Sequence, residues 1–211
     1  MRCYPRSLFI TASLLVLLPL AAWSEEPGIE EPKTDQVVEE LHDALLGTMK
    51  QAEELGYRGR YQKLEPALTV AFDLHFMAEK SVGRHWKKLD EADRERWVAL
   101  FGRVTVANYA GRFEGFSGQS FETIETVPAA HETWLVRTKL VNPEDEDVQL
   151  NYRLRENGKG WRIIDVYLNG TVSELALRRS EYSAILKREG FDKLLSVVEE
   201  KIGEFESGAE S

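Results

Sequence analysis

The residues that decide the fold are 148–155, which read VQLNYRLR. Apolar side chains at the even positions alternate with polar or charged ones at the odd positions. Because successive side chains of a β-strand point to opposite faces, this period of two predicts a strand with one dry face and one wet face. Other runs of strand length flank it, and the predicted strands cover residues 121–127, 133–141, 148–155 and 161–168.

Short connectors join these strands. The segments at 128–132, 142–147 and 156–160 are rich in turn-forming residues, with Asn157-Gly158 at the tip of the last one. Connections this short leave antiparallel pairing of neighbours as the only practical arrangement. The strands are therefore predicted to form a meander.

Apolar residues outside the sheet repeat every three or four positions, which is typical of amphipathic helices. The clearest helix begins at Leu89, where Asp90 is positioned as an N-cap. The order of helices, strands and helices indicates an α+β fold, with helices packed on one face of a four-stranded antiparallel meander sheet. No linker interrupts residues 35–205, which we expect to form a single domain, and residues 206–211 should fray. The predicted helices cover about residues 35–56, 66–72, 74–82, 89–113, 174–188 and 191–205.

The N-terminal segment, residues 1–24, has the pattern of a cleavable secretory signal peptide. Two arginines precede an apolar run that is too short for a comfortable bilayer span. Small side chains at Ala22 and Ser24 predict cleavage before Glu25. We therefore expect export across the inner membrane, followed by a flexible leader at residues 25–34. An uncleaved membrane anchor is the alternative.

Cysteine content and charge narrow the classes of function. The only cysteine, Cys3, lies in the predicted signal peptide, so the exported domain must be stable without disulfides. The chain carries 27 basic and 36 acidic residues. This negative balance disfavours nucleic acid and unaided docking on anionic membranes, and it favours a basic protein surface as partner.

Common catalytic and metal-binding motifs are absent from the sequence. There is no Gly-x-Ser-x-Gly elbow, no phosphate-binding glycine loop and no His-Glu-x-x-His pair. The four histidines lack the spacing of metal ligands. These absences disfavour the common hydrolytic, nucleotide-dependent and metal-dependent enzymes, and we expect no metal and no cofactor.

Two carboxylates each allow two interpretations. Asp165 lies in the middle of the last predicted strand. There it would share a face with Trp161, Ile163 and Tyr167, and an unpaired carboxylate in such a place is costly. It could be a general base in an isomerase-like or hydrolytic pocket, or it could bond backbone N–H groups or an arginine. Asp73 could likewise be functional or cap the helix that follows it, and we favour the structural role for both.

Aromatic side chains are spread over the predicted helices and strands. For any single one, burial in an ordinary core is the simpler interpretation. Together they could instead line a cavity between the helices and the sheet, as in ligand-binding α+β folds. The sequence leaves both a filled and a hollow interior open.

Several segments stand out by their order and spacing. They are FDLHFM at residues 72–77, GRHWKKL at 83–89, RWVALF at 96–101, GWRIIDVYLNG at 160–170 and RRSEY at 178–182. Together they resemble the toluene-tolerance or MlaC family of periplasmic lipid-shuttle proteins. The resemblance extends over about residues 37–203.

This resemblance implies helices wrapped on a four-stranded antiparallel sheet, with an apolar cavity that holds acyl chains. It implies a lipid ligand carried between the inner and outer membranes, an inner-membrane transporter of the MCE or RND type as partner, and no catalysis. The oligomeric state stays open. Asp73 and Asp165 are then structural. The side chains that we assign to the cavity lining are Phe72, Phe76, Met77, Trp86, Trp97, Phe101, Val104, Tyr109, Phe113, Trp134, Val136, Leu140, Leu150, Tyr152, Trp161, Ile163 and Tyr167.

Three further segments are similar to the hopanoid-associated branch of the family, often called HpnM. They are LGYRGRY at residues 55–61, YAGRFEGFSG at 109–118 and NGTVSELA at 169–176. The phospholipid branch more commonly has a Ser-Leu and Asn-Tyr-Arg passage where this chain reads VSELALRR, and this departure favours a polycyclic or related membrane lipid. The predicted cargo is a membrane lipid, either a hopanoid-type lipid or a phospholipid. The alternative functions are a periplasmic adaptor of a lipid transporter without its own ligand and a small enzyme that uses Asp165.

Overall fold

Residues 33–208 are described by a computed structural model, and they form six α-helices, one 3₁₀ helix and five β-strands. The predicted signal peptide and nearly all of the predicted leader lie outside this range. The elements are α1 (Thr34–Met49), α2 (Ala52–Ala71), α3 (Leu74–Val82), the 3₁₀ helix (Gly83–Lys88), α4 (Glu91–Arg112), β1 (Ser120–Ala129), β2 (Thr133–Val141), β3 (Val148–Glu156), β4 (Trp161–Leu168), β5 (Val172–Ser173), α5 (Glu174–Arg188) and α6 (Phe191–Gly208).

The sheet is an antiparallel meander in the order β1-β2-β3-β4-β5. The prediction of an α+β fold is confirmed, but the prediction of four strands was one short. The fifth strand has only two residues, which pair with Tyr167 and Leu168 across a turn at Asn169 and Gly170. Both turn residues have positive φ, 49° and 75°. A period of two cannot be recognised in a strand of this length.

The helices cover the face of the sheet on which Leu150, Tyr152 and Leu154 are buried. On β4 the residues that point towards the helices change from odd to even numbers partway along the strand, because the register shifts opposite Arg153 and Leu154. Leu154 pairs with Ile163, whereas Arg153 pairs with Asp165, so Ile164 is a bulge.

The bulge corrects the expected environment of Asp165. Paired residues of neighbouring strands lie on the same face. Asp165 and Tyr167 therefore share the outer face with Arg153, while Ile163 and Trp161 lie on the inner face. The expectation that all four residues share one face is wrong.

Helical boundaries differ from prediction mainly before residue 72. The predicted helix at 35–56 is two elements, because α1 ends at Met49 and the backbone of α2 kinks at Gly56 with φ 56° and ψ −176°. The predicted helix at 66–72 is the end of α2, which continues through Pro66. Leu64 and Leu68 on either side of this proline are fully buried, so tertiary packing maintains the helix.

The remaining helices agree closely with the periodicity. Asp90 caps α4, accepting a hydrogen bond from the Asp93 N–H at 2.8 Å. α6 continues to Gly208, beyond the expected start of fraying at residue 206. Across residues 33–208, none of the helices has the length and apolar character needed to cross a membrane.

Candidate functional site

A cavity of about 440 Å³ lies between the helices and the inner face of the sheet. Its walls come from the end of α1, the residue after α2, the helices α3, α4 and α5, the loop after α4, and strands β2, β3 and β4. The lining side chains are mostly apolar. They belong to Met49, Phe72, Met77, Thr105, Asn108, Tyr109, Arg112, Phe113, Ser117, Gln119, Leu140, Asn142, Val148, Leu150, Tyr152, Val166, Leu168, Glu174, Leu175 and Arg178, and Gly115 completes the wall.

Aromatic rings of α4 and its neighbours form one wall. Tyr109 stacks on Phe113 with ring centroids 5.6 Å apart, and it meets Phe72 in a T-shaped arrangement with centroids 5.8 Å apart. Burial raises the pKa of Tyr109 far above its ordinary value, so this wall is neutral at physiological pH. Such a surface suits an apolar ligand.

Tyr152 forms the floor on the sheet side, and its hydroxyl is satisfied by a buried histidine. His42 Nε2 lies 3.1 Å from the Tyr152 oxygen, and the imidazole stacks on Phe121 with centroids 3.8 Å apart. Burial lowers the pKa of His42 from 6.5 to about 4. Burial also raises the pKa of Tyr152. The pair is therefore neutral, and it brings no charge to the cavity floor.

Charge is confined to the α4–α5 edge of the cavity. Arg112 is exposed, and its Nη1 lies 3.8 Å from the Glu174 carboxylate. Arg178 donates a hydrogen bond from Nη1 to Thr105 Oγ1 at 3.3 Å and lies over the Phe101 ring, 5.5 Å from its centroid. Two guanidinium groups against one carboxylate can bind an anionic group at the end of an apolar ligand.

Of the side chains assigned from sequence to the lining, seven border this cavity. They are Phe72, Met77, Tyr109, Phe113, Leu140, Leu150 and Tyr152. Five others are buried in the packed core without reaching it, namely Trp97, Phe101, Val104, Val136 and Ile163. Trp86, Trp134, Trp161 and Tyr167 are half-buried outside it, and Phe76 borders a separate cleft. That a ligand contacts the first group stays a prediction.

The polar residues of the cavity edge were missed by the sequence reasoning. Thr105, Asn108 and Arg112 repeat at three and four positions along α4, on the side of the helix that also carries Tyr109. A polar stripe within the apolar face of a helix is a sequence signal that could have identified these residues. Arg178 comes from a helix more than sixty positions away, and nothing local indicated that it would join them.

Asp73 lies at the N-terminus of α3, away from the cavity. One carboxylate oxygen accepts a hydrogen bond from the Phe76 N–H at 3.1 Å. The other accepts from Arg155 Nη2 and Asn157 Nδ2, both at 3.0 Å. Burial alone would raise the pKa of Asp73, but these bonds outweigh it and lower the pKa. The carboxylate thus links α3 to strand β3 and its turn.

Asp165 connects the outer face of β4 to the start of α5. Its oxygens accept hydrogen bonds from the Val166 N–H at 2.9 Å, the Leu175 N–H at 3.1 Å and the Ser173 hydroxyl at 2.6 Å. Burial raises the pKa of Asp165, and the three bonds together with Arg153 oppose that rise. These donors account for the buried carboxylate without a substrate. No group of three or more potential metal ligands occurs within residues 33–208.

The fold and the cavity define a class of α+β proteins in which an apolar cavity lies between a helical layer and an antiparallel sheet. Within that class, this chain belongs to the MlaC protein family, whose model matches residues 39–200. The resemblance read from the sequence is confirmed at the level of the family, and the hopanoid-associated branch stays a prediction.

A solved structure supports the fold assignment. It is the phospholipid-binding protein from Ralstonia solanacearum in complex with a phospholipid, which superposes with a TM-score of 0.72 at 19% sequence identity. The match covers 82% of this chain and 98% of that one. At this identity the likeness establishes the shared fold alone. Comparison with curated protein sequences gave no significant match.

Proposed function

We propose that this protein is a periplasmic lipid carrier, which binds a membrane lipid in its cavity and takes it between the inner and outer membranes as part of a transport system. The observation that supports this most directly is the apolar cavity of about 440 Å³, with a charged edge at Arg112 and Arg178. That volume lies within the range of about 300–1,000 Å³ found for small-molecule sites. Family membership agrees with the proposal.

The energetics suit a carrier that must both hold and release its ligand. Burial of several hundred Å² of apolar lipid surface, at about 25 cal/mol per Å², contributes on the order of 10 kcal/mol. Association and ordering costs offset much of this gain. We place the path for exchange beside Arg112, because that side chain is half exposed at the cavity edge.

The two arginines favour a lipid with a phosphate headgroup. A guanidinium forms charge-assisted, bidentate hydrogen bonds to phosphate oxygens, whereas a polycyclic hydrocarbon offers it no acceptor. The solved relative from Ralstonia solanacearum binds a phospholipid, which agrees with this choice. Support for a hopanoid-type cargo comes from the sequence around residues 172–179, and an inner-membrane transporter as partner is implied by the family resemblance.

Native mass spectrometry of the purified protein, followed by lipid extraction, tests the proposal. We expect a bound phosphate-bearing lipid in the wild-type protein. Val148→Trp places an indole in the cavity and should reduce the bound fraction, whereas Leu177→Trp, at an exposed position of α5, should not. Thermal unfolding checks that both variants are folded. A wild-type protein that is repeatedly purified empty would favour the adaptor function instead.

The headgroup assignment has its own test. Replacement of both Arg112 and Arg178 by Gln should weaken binding of phosphatidylglycerol about tenfold or more, since hydrogen bonds to charged groups contribute roughly 1.5–3 kcal/mol. The matched control replaces Arg96 and Arg103, which are exposed on α4 outside the cavity, by Gln. Equal losses in the two double variants would contradict the assignment. A hopanoid in the extracted lipid would replace the phospholipid as cargo.

A further inference from the structure

A basic groove lies on the outer side of the molecule, separate from the lipid cavity. It consists of a cleft of about 590 Å³ and a smaller depression of about 390 Å³ that meet at Arg179. α3, the 3₁₀ helix, the outer face of the sheet and one side of α5 form its walls. The cations of this basic groove are Lys80, Arg84, Arg153, Arg155, Arg179 and Lys187.

Half of these cations lack a partner. Arg84, Arg179 and Lys187 are exposed and make no hydrogen bond or ion pair with any residue between 33 and 208. The Arg179 guanidinium instead lies against the backbone of Gly83, where an added Cβ would be 2.9 Å from Nε. This contact places the charge at the junction of the two depressions.

Among the other cations, Lys80 pairs with Glu79 at 2.8 Å, and the remaining two are only partly neutralised. Arg155 pairs with Asp73 through Nη2 at 3.0 Å, but its buried Nε has no hydrogen-bond partner among the described residues. Arg153 donates to Thr133 Oγ1 and to the Ala130 carbonyl, both neutral, at 2.9 Å. The one carboxylate in the lining is Asp165, whose oxygens accept bonds from Val166, Ser173 and Leu175. The groove therefore keeps a positive charge, carried by Arg84, Arg179 and Lys187.

This concentration of positive charge is opposite to the charge of the whole chain. The protein has a formal net charge of −9, with 36 acidic residues. Despite that excess, the outward side of α5 carries Ala176, Arg179, Ser183 and Lys187 in the groove, without an acidic side chain. Unpaired like charges held close together repel one another, so they destabilise the free protein unless an anion compensates them.

We propose that the basic groove docks an acidic segment of a partner protein. Two depressions that meet at one arginine form an elongated, concave surface, which fits an extended polypeptide better than a single small anion. A flat anionic bilayer would reach the rims of such a groove rather than its floor, and it would be repelled by the negative remainder of the molecule. Complementary charge then sets the orientation of the encounter and speeds it.

The basic groove adjoins the lipid cavity, so a docked partner would lie close to the lipid. Leu175 on α5 borders both the groove and the lipid cavity, while Arg178 and Arg179 project to the cavity and to the groove respectively. A partner held in the groove would thus lie against the helix that walls the lipid site. The proposal does not depend on the lipid assignment, because it rests on different side chains.

Fluorescence anisotropy with a labelled ten-residue peptide of alternating Glu and Ser tests the proposal on the full exported domain. At low ionic strength we expect binding that weakens as salt is added, and no binding of the same peptide with Lys in place of Glu. The double variant R179E/K187E should weaken binding at least tenfold. The matched control K193E/K201E makes the same change of charge at exposed positions of α6 and should alter binding less than twofold.

Several results would overturn the proposal. Equal losses in the two double variants would mean that binding reflects overall charge. Competition by inorganic phosphate at the same concentration as the peptide would indicate a small-anion site. Binding to phosphatidylglycerol vesicles through Arg179 and Lys187, without binding of the peptide, would indicate a membrane contact.

Native mass spectrometry of R179E/K187E should show the wild-type level of lipid, so failure of docking and failure of lipid binding are read separately.

Discussion

Acidification should weaken the folded protein through one buried side chain, His42. Its imidazole is 5% exposed, packed flat against Phe121 and bonded to the Tyr152 hydroxyl. Burial lowers its pKa from 6.5 to about 4, because the surrounding apolar groups cannot solvate an imidazolium. The unfolded chain has no such restriction.

The loss of folding stability in acid follows from proton uptake at His42 in the unfolded chain. As the pH falls from 6.5 to about 4, the unfolded chain binds a proton at His42 that the folded protein does not bind. The free energy of unfolding therefore decreases over this range, by about 1.4 kcal/mol per pH unit at most. The total loss is roughly 3 kcal/mol. Well above pH 6.5 the residue contributes no pH dependence, and well below the folded pKa its contribution is constant.

Urea unfolding of the wild-type protein and of His42→Gln, followed by tryptophan fluorescence between pH 7 and pH 4, measures this effect. The glutamine amide can still bond the Tyr152 hydroxyl but does not titrate. The wild-type protein should be the more stable of the two at pH 7, and its advantage should shrink by roughly 3 kcal/mol by pH 4. Carboxylates titrate equally in both proteins, so the difference isolates the histidine. Parallel profiles would refute the reasoning.

Two further substitutions test the packing and the capping that hold the site. Trp97→Ala should destabilise the protein by about 3–5 kcal/mol in urea unfolding, because the ring is fully buried and its Nε1 donates to the Ala78 carbonyl at 2.9 Å. Trp86→Ala, at a half-buried position, should cost clearly less, and an equal cost would contradict this account. Asp73→Ala should cost about 1–3 kcal/mol by removing a cap and leaving Arg155 unpaired. Since the pKa of Asp73 is lowered by folding, its contribution is lost as the pH falls through that value, and the variant and wild-type stabilities should converge in acid.

Much of the sheet could be predicted from sequence, because its information is local. The bounds predicted for β2 and β4, residues 133–141 and 161–168, agree with the structure. The bulge at Ile164 could not be predicted, since Ile163 and Ile164 are equally apolar and either could face inward. That single residue reverses the face of Asp165. The course of α2 through Pro66 was likewise missed, because burial of Leu64 and Leu68 overrides local propensity there.

The site was only partly predictable, for a different reason. Aromatic side chains identified the layer between helices and sheet, but composition does not separate filled space from empty space. Trp97 and Tyr109 lie on the same helix, yet the first is enclosed by Tyr182 and Phe101 while the second borders the cavity. The difference depends on what faces each end of α4 across the molecule, which is a property of long-range packing.

Because α4 is packed at Trp97 but borders the cavity at Tyr109, the two ends of the helix contribute differently to the stability of the fold. A sealed void costs about 24 cal/mol per Å³, so an empty cavity of about 440 Å³ would cost on the order of 10 kcal/mol, comparable to the whole stability of a domain. Water in the cavity would reduce this cost, and a bound ligand would remove it. Because a ligand that binds only the folded state adds to its stability, loading and folding are linked. When the cavity is empty, the packed end around Trp97 must hold the fold by itself, so we expect truncation there to cost more than truncation beside the cavity.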